Sequence, residues 1–391
     1  VVPGEGSSLD GVDIQDQIDI LPGVFQLRSS LTRPRRSTLR VGDGSCGSHT
    51  CDIDASEDNE IQKAVWSSWP GGTVMVYSSE SDFAGNAVIS WPLTLRGAGG
   101  EPEAVVLRSL EEDPLLADAG MWSRHKSVLT VLKGLDGPVT VERMTILVDA
   151  EAVTSDHAVR TETGDSEIGT GPWHRFSRLR VESVNTGAGL LYAFYLGDHV
   201  LVDNSLVHGA FESCVRFGNR REPDDPTPAT TGKLVNFTCR LNGTGDHLPR
   251  AGLDVASVVD AVLVNLAIEV DSSASLMRAQ RRSTGDTSEI ALDVPESYTF
   301  DSATHSLVTL YTEGFDEIHG TYLESNIDEL QPADPFFVSA DDSHLDSGCV
   351  TALDNGVDPA TVDPDLSAGT SLDGVDRQDR AIDRGAYEQG L

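Results

Sequence analysis

Three stretches in the middle of the chain share one pattern of apolar and polar positions. Val200-Leu201-Val202-Asp203-Asn204, Lys233-Leu234-Val235-Asn236 and Ala261-Val262-Leu263-Val264-Asn265 each alternate around Val and Leu and end on Asn. Each follows a shorter run: Tyr195-Leu196-Gly197-Asp198-His199, Val215-Arg216-Phe217-Gly218 and Leu253-Asp254-Val255. Alternation at period two predicts strands, and their recurrence predicts a stack of like coils, each of roughly 20 to 30 residues. Apolar side chains then fill the interior, and an inward Asn, carrying both donors and an acceptor, bonds its counterparts above and below. Residues 139–148 and 176–184 before these copies, and 307–311 and 318–323 after them, have the same texture. Roughly eight to ten coils are expected at that repeat length. Residues 219–232 read as an insertion in the second copy, and 154–173 and 272–305 as longer ones. The last contains Arg278, Arg281 and Arg282, a basic cluster on an acidic chain.

Nearer the start the period changes. Ser56 precedes Glu57, Asp58 and Asn59, after which Ile61, Ala64, Val65 and Trp66 fall at helical spacing, which predicts a helix near residues 56–66. Trp69-Pro70-Gly71-Gly72 should stop it. Short strands follow at 73–77, 87–89 and 93–95. The order Asp58-Asn59-Glu60-Ile61-Gln62-Lys63-Ala64-Val65, then Pro70-Gly71-Gly72-Thr73-Val74-Met75-Val76, then Trp91-Pro92-Leu93-Thr94-Leu95-Arg96-Gly97-Ala98-Gly99-Gly100 resembles the opening of pectate-lyase-like proteins. That resemblance implies an all-β, single-stranded right-handed parallel β-helix whose first coil is capped by the helix. Many activities share this opening, so it implies a fold and no single function. The domain reading is an extended N-terminal arm over 1–45, the β-helix over 46–340 and an acidic C-terminal tail or cap over 341–391.

Charge narrows the partners. The 391 residues hold 63 acidic against 28 basic side chains, a net charge of -35, which repels nucleic acid and anionic membranes. Such a surface stays hydrated in salt, where its self-repulsion is screened, so a saline setting is expected. With no apolar stretch of about 18 residues, membrane insertion is not expected. A start at Val1 fits a processed, secreted chain. Among five cysteines, Cys46 and Cys51 are spaced to bridge a short loop; with His49 they also offer part of a zinc site, but no second ligand pair follows at finger-like spacing.

Glycan-cutting chemistry needs either paired carboxylates or a base beside a calcium-neutralised acid. Hydrolases of the resembled fold carry Asn-Thr-Asp, Asp-Asp and Gly-His-Gly in order on successive coils, a set that does not occur here. The nearest candidates are Asp198, His199 and Asp203, then Glu212 and Arg216, then Asp246, His247, Arg250 and Asp254, which could face one groove. In a chain so rich in Asp, neighbouring carboxylates also arise without function, and Asp-His is common at turns. No cofactor is called for apart from Ca2+ in the lyase case. Of the sequons Asn236-Phe237-Thr238 and Asn242-Gly243-Thr244, only Asn242 is expected to reach solvent.

The two ends are near-copies. Ser8-Leu9-Asp10-Gly11-Val12-Asp13-Ile14-Gln15-Asp16 and Ser371-Leu372-Asp373-Gly374-Val375-Asp376-Arg377-Gln378-Asp379 differ at a single position. The second copy leads into Asp383-Arg384-Gly385-Ala386-Tyr387-Glu388, which resembles the Asp-x-Gly-Ala-x-Glu tail of bacterial secreted β-helix proteins. The copies can be equivalent caps, or the first can seat on a second molecule, a head-to-tail contact that repeats into a filament. The expected function is therefore an extracellular structural, adhesive or self-assembling protein without catalysis, with itself or a glycan as partner. A lyase or hydrolase acting on acidic polysaccharide is the alternative.

Overall fold

The computed structural model describes residues 36–54, 59–79, 82–109, 127–149, 157–162, 170–184, 190–217, 230–241, 251–255, 259–269, 275–280, 289–291, 303–310, 327–329, 337–339, 342–348 and much of 353–387, with Ser8–Leu9 and Val12–Asp13. It is an all-β chain dominated by long parallel sheets. The strands recur in cyclic order over three rows. Ser68–Val76, Leu93–Gly97 and the first part of Val139–Asp149 pair in parallel as one row. Phe83–Ala84, Val106–Arg108 and the second part of Val139–Asp149 form the next. Ala87–Ile89, Ser127–Val131, His157–Thr161, Leu190–Leu196, Phe211–Phe217, Ala251–Val255 and Ser275–Gln280 form the third.

From Val139–Asp149 onward, rows one and two share single long strands: His174–Val184, Val200–Gly209, Thr230–Leu241 and Val259–Glu269. Each bends at one residue of left-handed backbone, namely Arg143, Arg178, Asn204, Asn236 and Asn265, with φ between 46° and 60°. The registers on either side put these five residues opposite one another, so they form one column. Asn tolerates this conformation because its short polar side chain can bond locally. Arg at the same place costs about 1 to 3 kcal/mol, a cost that surrounding contacts must offset. The three Asn also bond to one another: Asn236 Nδ2 donates to Asn204 Oδ1 at 3.2 Å and Asn265 Nδ2 to Asn236 Oδ1 at 2.9 Å.

The interior is one apolar cluster running from Val41 to Ile268, with Phe176, Phe194 and Phe237 meeting edge to face. A disulfide between Cys214 and Cys239 ties row three to row two, and a second joins Cys46 to Cys51. The first has no signal in the sequence, because its 25-residue separation only becomes a contact once the strands stack. Helix Glu60–Ser67 buries seven of its eight residues. Its Gln62 reaches the edge strand of row three, accepting from Val88 N at 2.6 Å and donating to Val88 O at 3.2 Å. One side chain thus does for Val88 what a neighbouring strand would do.

Several boundaries differ from the sequence expectations. Helix Glu60–Ser67 begins after a left-handed Asn59 and leads straight into strand Ser68–Val76, so Pro70-Gly71-Gly72 sits inside a strand; Ser56, Glu57 and Asp58 lie outside the described residues. Arg36–Gly42, within the expected arm, pairs with Ser68–Val76 in row one. Strands His157–Thr161 and Ser275–Gln280 fall inside the expected insertions. Ala303–Leu310 continues the stack but runs antiparallel to Val259–Glu269, as Glu289–Ala291 does to Ser275–Gln280. Alternation reports an apolar face and is blind to strand direction, which is why that turnover was not legible. Residues 318–323 lie outside the described residues.

Substituting Gln62→Leu should lower stability by roughly 2 to 4 kcal/mol, since two buried backbone groups lose their partner. Thermal unfolding checks this.

Candidate functional site

The residues offered by the sequence fall on two rows and the corner between them. Asp198 and His199 form that corner. Asp198 accepts from Thr231 N and stands 2.9 Å from His199 Nδ1; His199 O accepts from His174 N, and His199 N donates to Thr231 O, both at 2.8 Å. Trp173 meets His199 edge-on and lies under Lys233 Nζ at 4.5 Å. The adjoining hollow, about 10 Å³, holds one water at most. Asp203 lies on row one, accepting from Arg175 Nε at 3.0 Å; burial raises its carboxyl above the usual range against the pull of Arg175.

Arg216 and Asp254 lie on row three, 1% and 0% exposed. Arg216 Nη1 donates to Asp254 Oδ2 at 2.7 Å and to the Tyr192 hydroxyl at 2.9 Å, while His157 stacks on Tyr192 and Tyr195. Burial opposes the Arg216 charge, but Asp254, Tyr192 and Tyr195 together outweigh it and raise the pKa. Pairs of this kind are costly to break and add little when intact. Asp246, His247, Arg250 and Asn242 lie outside the described residues. Asn236 is fully buried in the column.

A different site emerges where the C-terminal segments cross the column. Arg240 receives the first of them: Nη1 donates to Ser339 O at 3.0 Å, Asp342 O at 3.1 Å and Ser343 Oγ at 3.2 Å, with the guanidinium over Phe337. Arg178 receives the second, Nη2 donating to Gly100 O at 2.5 Å and Leu372 O at 3.2 Å. Farther along, Gly385 N donates to Asn265 O and Ala386 N to Thr238 Oγ1. A side chain at Gly385, whose φ is +96°, would stand 2.7 Å from Thr238 Oγ1, so only glycine lets the tail lie this close there.

Between tail and sheet is a cleft of about 190 Å³, lined by Glu101, Glu103, Arg180, Asp342, His344, Asp373 and Tyr387. His344 packs on Tyr387 with ring centroids 4.0 Å apart and planes tilted by 33°, with Nδ1 2.6 Å from Asp342 Oδ1 and Nε2 3.8 Å from Asp373 Oδ2, the latter an ion-pair distance. Arg180 Nη1 donates to Glu103 Oε1 at 2.9 Å. Burial raises the Glu101 carboxyl, opposed by Arg178. Burial acts the same way on Asp373, but His344 and Ser371 outweigh it and hold this carboxyl low. Backbone bonding from His344 lowers Asp342, and burial raises Tyr387.

No protein-family model matches the chain, and no curated protein matches it. The cleft gathers a raised carboxyl, two depressed ones, an imidazole and an arginine around its hollow. Among the described residues, no group of three or more His, Cys, Asp or Glu is arranged to hold a metal ion. No described helix is long and apolar enough to cross a membrane. Of the cleft residues, only Asp373 and the tail Tyr387 had a sequence signal, the duplication and the Gly-Ala-Tyr-Glu motif. Glu101, Glu103, Arg180, Asp342 and His344 come from segments far apart in the chain and carry no local motif.

The cleft makes tail docking depend on pH. Asp373 raises the His344 pKa above its ordinary value, against burial and with help from Asp342. The histidine's contribution is then complete below about pH 6.5 and lost as pH rises through the raised value. Asp342 and Asp373 are lowered, so their contribution is complete above about pH 4 and lost as pH falls through the lowered values. Limited proteolysis between about pH 5 and pH 9 should show the tail released earlier at the alkaline end. In His344→Gln that dependence should flatten.

Proposed function

We propose that the chain is a secreted right-handed parallel β-helix, capped at its first coil by helix Glu60–Ser67, that works outside the cell as a structural, adhesive or self-assembling protein without catalytic activity. The cyclic three-row order and the strand-like bonding of Gln62 to Val88 support the fold. Two disulfides and the net charge of -35 suit an oxidising, ion-rich exterior. The observation that carries the function is the docked Ser371–Asp376 segment: a sequence held twice by the chain is an element made for seating on a sheet. The candidate catalytic groups on the rows support the same reading, because Asp198, Asp203, Arg216 and Asp254 are each engaged with neighbouring coils.

A second reading rests on the cleft. A carboxyl raised at Glu101 beside one lowered at Asp373 is the arrangement by which a glycoside hydrolase separates its acid from its base. Incubation with a broad panel of acidic and neutral polysaccharides, with and without Ca2+, separates the two. The first reading predicts no new reducing or unsaturated ends; release of either that Glu101→Gln abolishes would replace it with the second.

A further inference from the structure

The seated copy uses little that the N-terminal copy lacks. Leu372 is fully buried among Leu206, Ala386 and Tyr387, with its N–H donating to Ala386 O at 2.8 Å and its carbonyl accepting from Arg178. Ser371 N donates to Val375 O at 2.8 Å and Gly374 N to Ser371 O at 3.1 Å; Val375 N donates to Ser371 Oγ at 2.9 Å. Asp373 faces His344. Every one of these roles falls on the six residues Ser-Leu-Asp-Gly-Val-Asp, which recur as Ser8–Asp13. There Leu9 pairs antiparallel with Val12 and Ser8 with Asp13, close to the Thr370 to Asp376 bridge of the seated copy.

The single departure in the nine-residue match is Ile14 against Arg377. Arg377 is fully buried and uses its guanidinium on the tail itself, donating to Asp383 O at 2.9 Å, Gly385 O at 2.8 Å and Tyr387 O at 2.9 Å. It clasps the Gly-Ala-Tyr strip that lies on Asn265 and Thr238. The side chain of Ile14 has no donor to offer these carbonyls.

We propose that the seat on Leu206 and Arg178 is a receptor for the Ser8–Asp13 turn of a second copy of this chain, and that Arg377 sets which copy occupies it. This rests on the self-assembling reading and names its contact. The cis copy has the advantage of tethering, worth an effective concentration of about millimolar, and of the Arg377 clasp. The trans copy brings the same Leu, the same Asp for His344 and the same turn. Exchange therefore follows release of the clasp, and each exchange leaves one donor turn and one seat for the next molecule, a heterologous contact that extends into a chain.

The test is Arg377→Ile, which makes the two nine-residue stretches identical. Sedimentation velocity at micromolar concentration should show this variant at least tenfold more associated than the unaltered chain. Removing residues 1–14 from it, or adding Leu9→Asp, should return it to monomer. A folded Arg377→Ile protein that stays monomeric overturns the proposal, as does association that survives loss of residues 1–14. A second measurement does not depend on that variant folding: a labelled peptide of residues 6–14 should bind the unaltered chain saturably, and its Leu9→Asp form at least tenfold more weakly. No binding by the peptide, or equal binding by both forms, also overturns it. Assembly of the unaltered chain that ignores residues 1–14 would leave the self-assembling reading standing while removing this contact.

Discussion

One backbone constraint organises the described structure: each long strand must turn a corner at a single left-handed residue. Five such residues stack in register, and the corner they make divides row one from row two. Where Asn holds the position, the bend is tolerated and the side chains bond along the column. Where Arg178 holds it, the strain is offset by what its side chain does beyond the bend, bonding to Gly100 and Leu372. The corner that shapes the coils is thus also the dock for the tail.

That coupling explains where the chain's few cations are spent. With 28 basic side chains against 63 acidic ones, an arginine is a scarce donor; Arg178 and Arg377 donate to backbone carbonyls, and Arg240 divides its donors between tail carbonyls and Glu269. A guanidinium offers several donors in a rigid fork, which suits it to gathering carbonyls from a segment that has no ladder of its own. Four carboxylates, Glu101, Glu103, Asp342 and Asp373, line the cleft, and the last two flank its imidazole.

What the sequence disclosed follows from this. The repeat was legible at Asn204, Asn236 and Asn265 because Asn is among the few residues that take a left-handed bend readily, so the corner leaves a mark. At Arg143 and Arg178 the same corner leaves none, and those coils read only as loosely strand-like. Strand Arg36–Gly42 shows just Leu39 and Val41 as buried apolar positions, too short an alternation to stand out from an arm. The cleft was the least legible part. Its tail half came from the duplication and the Gly-Ala-Tyr motif, whereas Glu101, Arg180 and His344 meet only through long-range docking that no local pattern encodes.

The tail is part of the folded body, held on the corner column. Hydrogen exchange at the amides of Leu372, Gly385 and Ala386 tests it most directly, since these donate to Ala386 O, Asn265 O and Thr238 Oγ1. Protection of the same order as that of Val202 and Val235 in the neighbouring strands is the predicted result. Exchange at the rate of an unstructured chain, with Val202 and Val235 still protected, would contradict it.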